Sequence, residues 1–474
     1  MNYSTKILLN LTSIALLINY VETMVVPALP TIQEEFATTS SLAAWVTSAF
    51  IIVGAITSPI FGKLGDMFGK KKMYLISMLF YILSVGLAGF SYSIYFLIFA
   101  RAIQGIGFAM FPISLAIITD VFPKEKVAAA QGIISGMIGI GTALGLIIGS
   151  YIDQYLGWRF AFHTAFIISI ILVLVSYYII KEDEKRQRGK IDYIGASTLV
   201  SGISLILIYL TEGPYLGWYT FEELLFLILG LFLTIFFFYY ESNREYDQLI
   251  SIDLLRIRNF MVANIVGLLS GISLFLMFFM VIYYSQLPKP YGLGLDIVSA
   301  GLTLAPATIV MLVIGPIVGR LTSKIGPKPI LSIGSLISIL GFYLLIVNRT
   351  DPYQLTEDLL IAGSGIISLI IPIVNMVAIT VPEEARAVSL GMNTLIRNLG
   401  ASIGPVVASV YMASYQTPVI LFYGNTILNV SFIPSNTSFN LMMLTAIMIT
   451  VLIFLIVVVY AKNYVFKQGV YTLT

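Results

Sequence analysis

Gly62-Lys-Leu-Gly-Asp-Met-Phe-Gly-Lys-Lys-Lys72 sits between two long apolar segments, and its reading decides the rest. A second copy, Gly319-Arg-Leu-Thr-Ser-Lys-Ile-Gly-Pro-Lys328, pairs Gly62 with Gly319, Leu64 with Leu321, Gly69 with Gly326 and Lys71 with Lys328 at one constant offset. The chain therefore reads as two related halves.

Composition places those halves in a bilayer. Of 474 residues, 58% are hydrophobic and 11% charged, with a mean hydropathy of +0.95. Soluble domains carry about 25% charged residues, and apolar runs of about 20 residues read as membrane-spanning helices. The net charge of +2 points to no partner, and no nucleic acid is expected. Without cysteine, the chain makes no disulfide, thiolate or cysteine–metal chemistry. His163 is the only histidine, so no metal centre or cofactor is expected. The N-terminus has no signal-cleavage pattern, and its first apolar run reads as a retained span.

Fourteen such segments are expected, with cores near 7–28, 43–61, 73–91, 94–119, 129–151, 159–180 and 191–211, then 223–240, 259–287, 298–318, 329–347, 359–380, 387–412 and 439–461. Basic residues alternate between loops. With the N-terminus inside, only Arg159, Lys289 and Arg349 fall outside, while Arg101 and Arg397 fall within spans. Basic loops stay cytoplasmic, so both termini are expected in the cytoplasm of a multi-pass cell-membrane protein.

The repeat extends beyond the opening loop. Pro123-Lys-Glu-Lys-Val-Ala-Ala-Ala-Gln-Gly132 echoes Pro382-Glu-Glu-Ala-Arg-Ala-Val-Ser-Leu-Gly391; Gly141 meets Gly400, Gly145 meets Gly404, and Leu29-Pro30 meets Leu287-Pro288. The expectation is an all-α membrane protein with a six-helix bundle over 6–180 and a pseudo-symmetric one over 259–462. Between them, 181–258 holds cytoplasmic linkers and a two-helix insert (191–211, 223–240). Parallel six-helix repeats about an axis along the membrane normal describe a transporter with its site between the halves.

At these residues the chain resembles the major facilitator superfamily, and within it the fourteen-span drug:proton antiporters, over nearly its whole length. Gly62–Lys72 is similar to the superfamily's cytoplasmic-loop signature, and Arg101-Ala-Ile-Gln-Gly-Ile-Gly107 resembles its fourth-span motif. Tyr20-Val-Glu-Thr-Met-Val-Val-Pro-Ala-Leu-Pro30 and Gly157-Trp158-Arg159 resemble motifs of the fourteen-span group. The chain departs from the group in having Glu22 for an aspartate and Pro27 for an asparagine. It also lacks the proline that usually follows the fifth-span glycine, having Gly145-Leu146 and Gly149-Ser150, while Gly404-Pro405 keeps that pair. The resemblance implies a monomeric secondary transporter exporting lipophilic or amphiphilic compounds in exchange for protons. The alternative is a porter for a specific metabolite, organic anion or lipid. An enzyme is not expected, since no metal-binding HExxH or Ser-His constellation occurs, and an ATP pump is disfavoured by the absence of a phosphate-binding loop.

Glu22, Arg101 and Arg397 are the ionisable residues well inside the expected spans. Such residues are expensive there and are functional by default. At 1.5 Å per residue, Glu22 and Arg101 each lie about 10 Å below the outer surface. They read either as a fixed ion pair or as a coupling pair in which Glu22 carries the proton and Arg101 modulates it. Arg397 reads either as a donor to backbone carbonyls of a neighbouring helix or as an anchor for a polar or anionic group. Helical spacing adds Asn19, Thr23, Gln104, Phe108, Met277, Met280, Tyr284, Asn375 and Asn393 as cavity candidates. Gly141, Gly145 and Gly149, with Gly105, Gly107 and Gly404, read first as close-packing glycines. Gly62, Asp66, Gly69, Lys70 and Lys71 form the expected gating loop. The resemblance implies that Asp66 meets a helix N-terminus of the other half, where the macrodipole favours an anion. Trp158 reads as an interfacial anchor.

Overall fold

The computed structural model describes residues 2–182, 191–244, 248–382, 385–423, 426–467 and 470–473. Among them, thirteen helices are long and apolar enough to cross a membrane. In chain order they begin with α1 (Tyr3–Met24), α2 (Ser40–Phe68), α3 (Lys70–Gly89), α4 (Ile94–Val121), α5 (Ala129–Leu156), α6 (Trp158–Ile179) and α7 (Tyr193–Leu216). There follow α8 (Phe221–Ser242), α9 (Arg258–Gln286), α10 (Ile297–Ile325), α11 (Pro327–Val347) and α12 (Pro352–Thr380). The 29-residue α13 (Arg386–Ser414), which carries Asn393, Arg397 and Asn398, is more polar. The thirteenth apolar helix is α14 (Asn436–Tyr460).

Polar residues in the loops start these helices. Thr39 caps α2 through Leu42, Ser93 caps α4 through Phe96, Asp192 caps α7 through Gly195, and Asp296 caps α10 through Ser299. Each side-chain oxygen satisfies one N–H that the first helical turn leaves without a partner.

The helices sort by contact. α1 packs on α5 and α6, and α2 on α3 and α4; α9 packs on α12, α13 and α14, and α11 on α12 and α14. The α7–α8 hairpin leans on α2 and α13, and Phe232, Ile235 and Tyr239 of α8 are exposed, as on a lipid-facing surface. The groups α1–α6 and α9–α14 meet chiefly where α13 crosses α2 and where α10 crosses α5.

The two motif copies form tight helix–helix joints. Gly69 alone separates α2 from α3, with φ 107°, and Gly326 alone separates α10 from α11, with φ 89°. Both angles lie where a side chain is strained, which explains why glycine recurs at these places.

The bundle's two ends differ. Hydrogen bonds joining the two groups gather toward the end remote from the motif loops. There Gln286 Nε2 donates to the Pro27 carbonyl at 2.8 Å, and Gln154 Nε2 to Asp296 Oδ2 at 2.9 Å. The Val298 N–H donates to Gln154 Oε1 at 2.8 Å, and Ser48 Oγ to the Ser402 carbonyl at 2.8 Å. At the motif end, a Cβ added to Gly62, Gly132, Gly136 or Gly391 would meet nothing within 4 Å. The remote end is sealed, and these motif-end helix faces are open.

Three features differ from the sequence reading. Helices run past the expected cores, α5 ending at Leu156 rather than 151, because amphipathic end turns continue the hydrogen-bond ladder beyond the apolar run. Between α13 and α14, β1 (Gln416–Tyr423) and β2 (Thr426–Pro434) pair antiparallel where only a loop was expected. A second short pair, β3 (Tyr464–Lys467) and β4 (Val470–Leu473), follows α14. Of the 181–258 segment, 183–190, with Lys185, Arg186, Arg188 and Lys190, and 245–247 lie outside the described residues, as do Glu383 and Glu384 of the second repeat.

Candidate functional site

The site is built on the packing of α1 against α5. A Cβ on Gly141 would run into the Leu16 carbonyl, one on Gly145 would meet Thr23 Oγ1 and, at 2.5 Å, the Tyr20 carbonyl, and one on Gly149 would lie 2.6 Å from Met24 Cβ. The glycine face therefore receives the α1 turns that carry Glu22. Thr23 Oγ1 also donates to the Thr142 carbonyl of α5 at 3.1 Å. The second group repeats the device: Gly400 lies against the Leu268 carbonyl, and a Cβ on Gly404 would lie 2.7 Å from Phe275 Cβ.

Local winding changes where these contacts occur. α5 widens into a π turn over Gly145–Gly149, and α4 tightens into a 3₁₀ turn over Gly105–Ala109. Such irregularities inside a helix mark strain or function. Here both fall on glycines, one lying against α1 and the other, through Gly105 and Gly107, against Phe50 of α2 and Tyr81 of α3.

Arg101 is completely buried. Its Nε donates to the Val46 carbonyl of α2 at 3.0 Å, and its Nη1 donates to the Val21 carbonyl of α1 at 3.4 Å and to Gln104 Oε1 at 3.0 Å. The guanidinium carbon lies 4.3 Å from the Phe50 ring centroid, a cation–π contact. Nη2 and Gln104 Nε2 have no hydrogen-bond partner among the described residues. Arg101 thus holds α1, α2 and α4 at one height, beside Glu22. It makes no ion pair with Glu22 at contact distance, so the fixed pair is not what the structure contains.

Glu22 keeps part of its surface accessible deep inside the bundle. Arg101 and Arg397 both act on it electrostatically. Arg397, from α13 of the other group, is likewise only partly buried, and its guanidinium makes no hydrogen bond to the described residues. The backbone-carbonyl reading of Arg397 is therefore not observed. An accessible carboxyl from one group and an accessible guanidinium from the other lie within each other's field.

The remaining candidates divide. Phe108 is partly exposed, its ring centroid 4.8 Å from that of Phe50, and Asn375 is also partly exposed. Asn19 and Asn393 are buried and used structurally. Asn19 Nδ2 donates to the Ala15 carbonyl at 2.8 Å, and Asn393 Nδ2 to the Ala263 carbonyl at 3.2 Å and to Asn264 Oδ1 at 3.3 Å. Met277 and Met280 have no exposed surface. Tyr284 packs edge-on against Phe439 and lies beneath Arg349. In the motif loop, Asp66 is within electrostatic reach of Lys70 and Asp120. Lys70 pairs with Asp120 at 2.5 Å, and Lys71 lies over Tyr177.

A cluster that the sequence reading did not assemble ties the first helix group together at the remote end. Trp158, expected as an interfacial anchor, is buried, and its Nε1 donates to Glu35 Oε2 at 2.7 Å; Arg159 pairs with Glu35 Oε1 and donates to the Ser91 carbonyl. The indole turns inward because Glu35 gives its N–H a partner there. Partial burial works against ionisation of Glu35, but the bonds from Trp158 and Arg159 and the Arg159 charge outweigh it and lower its pKa. Beside this cluster lies a pocket of about 220 Å³ lined in part by Asp153, Thr31 and Ile297. It is separate from the Glu22–Arg397 site.

Long apolar helices in two packed groups, with an accessible carboxyl on one and an accessible guanidinium on the other, make a membrane protein with a polar site between its groups. Residues 11–405 match the Major Facilitator Superfamily, and the chain belongs to that family. It is 29% identical over 377 residues to Multidrug resistance protein 3 of Bacillus subtilis (strain 168), covering 76% of this chain and 70% of that one. It is 26% identical over 386 residues to the multidrug export protein EmrB of Escherichia coli (strain K12), covering 80% and 74%. It is 28% identical over 398 residues to the riboflavin transporter RibZ of Clostridioides difficile (strain 630), covering 82% and 84%. A solved bacterial homolog of the human lysosomal transporter Spinster, in an inward-facing, unoccupied conformation, superposes with a TM-score of 0.63 over 97% of this chain and 98% of that one. At 15% identity that likeness concerns the fold.

Proposed function

We propose that this transporter exports lipophilic or amphiphilic small molecules from the cytoplasm in exchange for protons, as a monomer working by alternating access. In this reading fourteen helices cross the bilayer as two six-helix halves around a two-helix insert, α13 being the polar member. In the same reading the motif loops and both termini are cytoplasmic, an orientation that the distribution of basic residues supports, and the open motif-end faces support a cytoplasm-open state.

The observation that carries the proposal is the setting of Glu22: an accessible carboxyl within the bundle, unpaired yet under the influence of two guanidinium groups. Low-dielectric surroundings favour the uncharged acid and a nearby guanidinium favours the carboxylate, so changes in wetting or distance between states switch the proton on and off. Arg101, with one N–H set unsatisfied, modulates that balance from a fixed position. The multidrug relatives support the substrate class.

A substrate panel in energised proteoliposomes tests this. Wild type should dissipate a proton gradient when a substrate is added, and Glu22→Gln should lose gradient-driven flux; full proton-driven flux in Glu22→Gln would refute the assignment. The unbonded Arg397 guanidinium favours a second reading, a porter whose substrate carries an anionic or strongly polar group. Competition by anionic rather than cationic amphiphiles would select it.

A further inference from the structure

Asp153 lies near the outer end of α5, only 5% exposed, and neither carboxyl oxygen has a hydrogen-bond partner among the described residues. It nevertheless lines the pocket formed with Thr31, Glu35, Trp158, Arg159 and Ile297. A carboxylate without donors is costly to bury, whereas the neutral acid is tolerated far better. A metal ion would need several oxygen ligands, and the pocket's other side-chain oxygens are Thr31 and the already engaged Glu35.

The next residue joins the halves. Gln154 holds Asp296 and the Val298 N–H across the outer seam, with Ile297 between them in the pocket wall. Opening that seam must break both bonds and admit outside water to Asp153. The titratable and charged groups around Asp153 are Tyr20 from α1, which interacts with it electrostatically, Glu35 from the short helix Leu29–Glu35 and Arg159 from α6, which share its pocket, and Asp296 at the start of α10, held by the adjacent Gln154. His163 of α6 lies elsewhere, against Gly89 and Phe90. Hydrogen bonds from the Ser299 side chain and backbone lower the pKa of Asp296, as Trp158 and Arg159 do for Glu35. Both partners therefore stay ionised near neutrality, and Asp153, buried without a donor beside them, is the acid whose state depends on whether water reaches it.

We infer that Asp153 is a second proton site, loaded from the outside, whose protonation seals the outer seam. This rests on the proton-coupled reading and deepens it: Glu22 exchanges its proton in the central cavity, while Asp153 links outside acidity to closure of the opposite end.

The test needs no transport assay, so it stands apart from the Glu22 assignment. Spin labels on Tyr92→Cys and Tyr353→Cys, exposed positions in the two halves of this cysteine-free chain, report the outer separation in nanodiscs. In wild type, lowering the pH from 8 to 5.5 should shift the population toward the short distance several-fold. Asp153→Asn should give the short distance at both pH values, while Glu22→Gln keeps the pH response. No response in wild type, or a wild-type response in Asp153→Asn, overturns the inference. If Asp153→Asn fails to fold, Asp153→Glu should retain the response with a displaced midpoint; an unmoved midpoint overturns it equally. Full gradient-driven flux in Glu22→Gln with an intact distance response would instead remove only the Glu22 role.

Discussion

Thr23, the residue after Glu22, donates from Oγ1 to the Thr142 carbonyl at 3.1 Å, fixing α1 against α5 beside the candidate proton carrier. The contact exists because Gly145 leaves room for it. Gly145→Ala should therefore push α1 away, at an overpacking cost of about 1–3 kcal/mol, with a lower Tm in detergent and reduced flux. Gly132→Ala, with open space around its Cβ, should change neither.

The two site arginines should separate in their responses. Lysine cannot reproduce the planar fork by which Arg101 reaches Val46, Val21 and Gln104, so Arg101→Lys should destabilise the fold by about 2–4 kcal/mol. Arg397 makes no hydrogen bond with its guanidinium to the described residues; Arg397→Lys should leave Tm nearly unchanged while altering flux or substrate preference. Thermal unfolding and vesicle transport, measured together, check the contrast.

Gln154→Ala removes two hydrogen bonds that join the helix groups at the end remote from the motif loops. At about 0.5–1.5 kcal/mol each, the sealed state should lose roughly tenfold in population. The label pair at positions 92 and 353 should report a longer mean distance.

The Glu35 clasp should be acid-resistant. Its carboxyl has a folded pKa below the ordinary value, so its stabilisation is complete above about pH 4.3 and lost only as the pH falls through the depressed folded value. Because the pair is more than a third exposed, Glu35→Gln should cost only about 0.5 kcal/mol at pH 7. Urea unfolding of the two proteins should converge as the pH drops below about 4.

Much of the fold was legible because membrane helices announce themselves by length and apolarity, and because glycines needed at positive φ or close crossings recur in both halves. Glu22, Arg101 and Arg397 stood out for the same reason, as charges amid apolar residues. Asp153 did not: α5 extends past its apolar core, so a buried acid looked like a loop acid. Trp158 was misread because the partner that turns it inward, Glu35, lies on a separate element. The complete burial of Met277 and Met280 was also invisible, since three-to-four residue spacing does not say which helix face meets a cavity. The β1–β2 hairpin was not legible because a short strand pair between two long spans has the length and composition of an ordinary connecting loop.

Gly69 and Gly326 bear on how such a machine turns over. With a single residue bridging each helix pair, there is no slack for one rod to slip lengthwise past its companion. Each hairpin must tilt as a stiff bracket. The speed of the cycle would then be governed by how readily these brackets pivot past one another, and lengthening either hinge by a few flexible residues should blur the stroke without unfolding the protein.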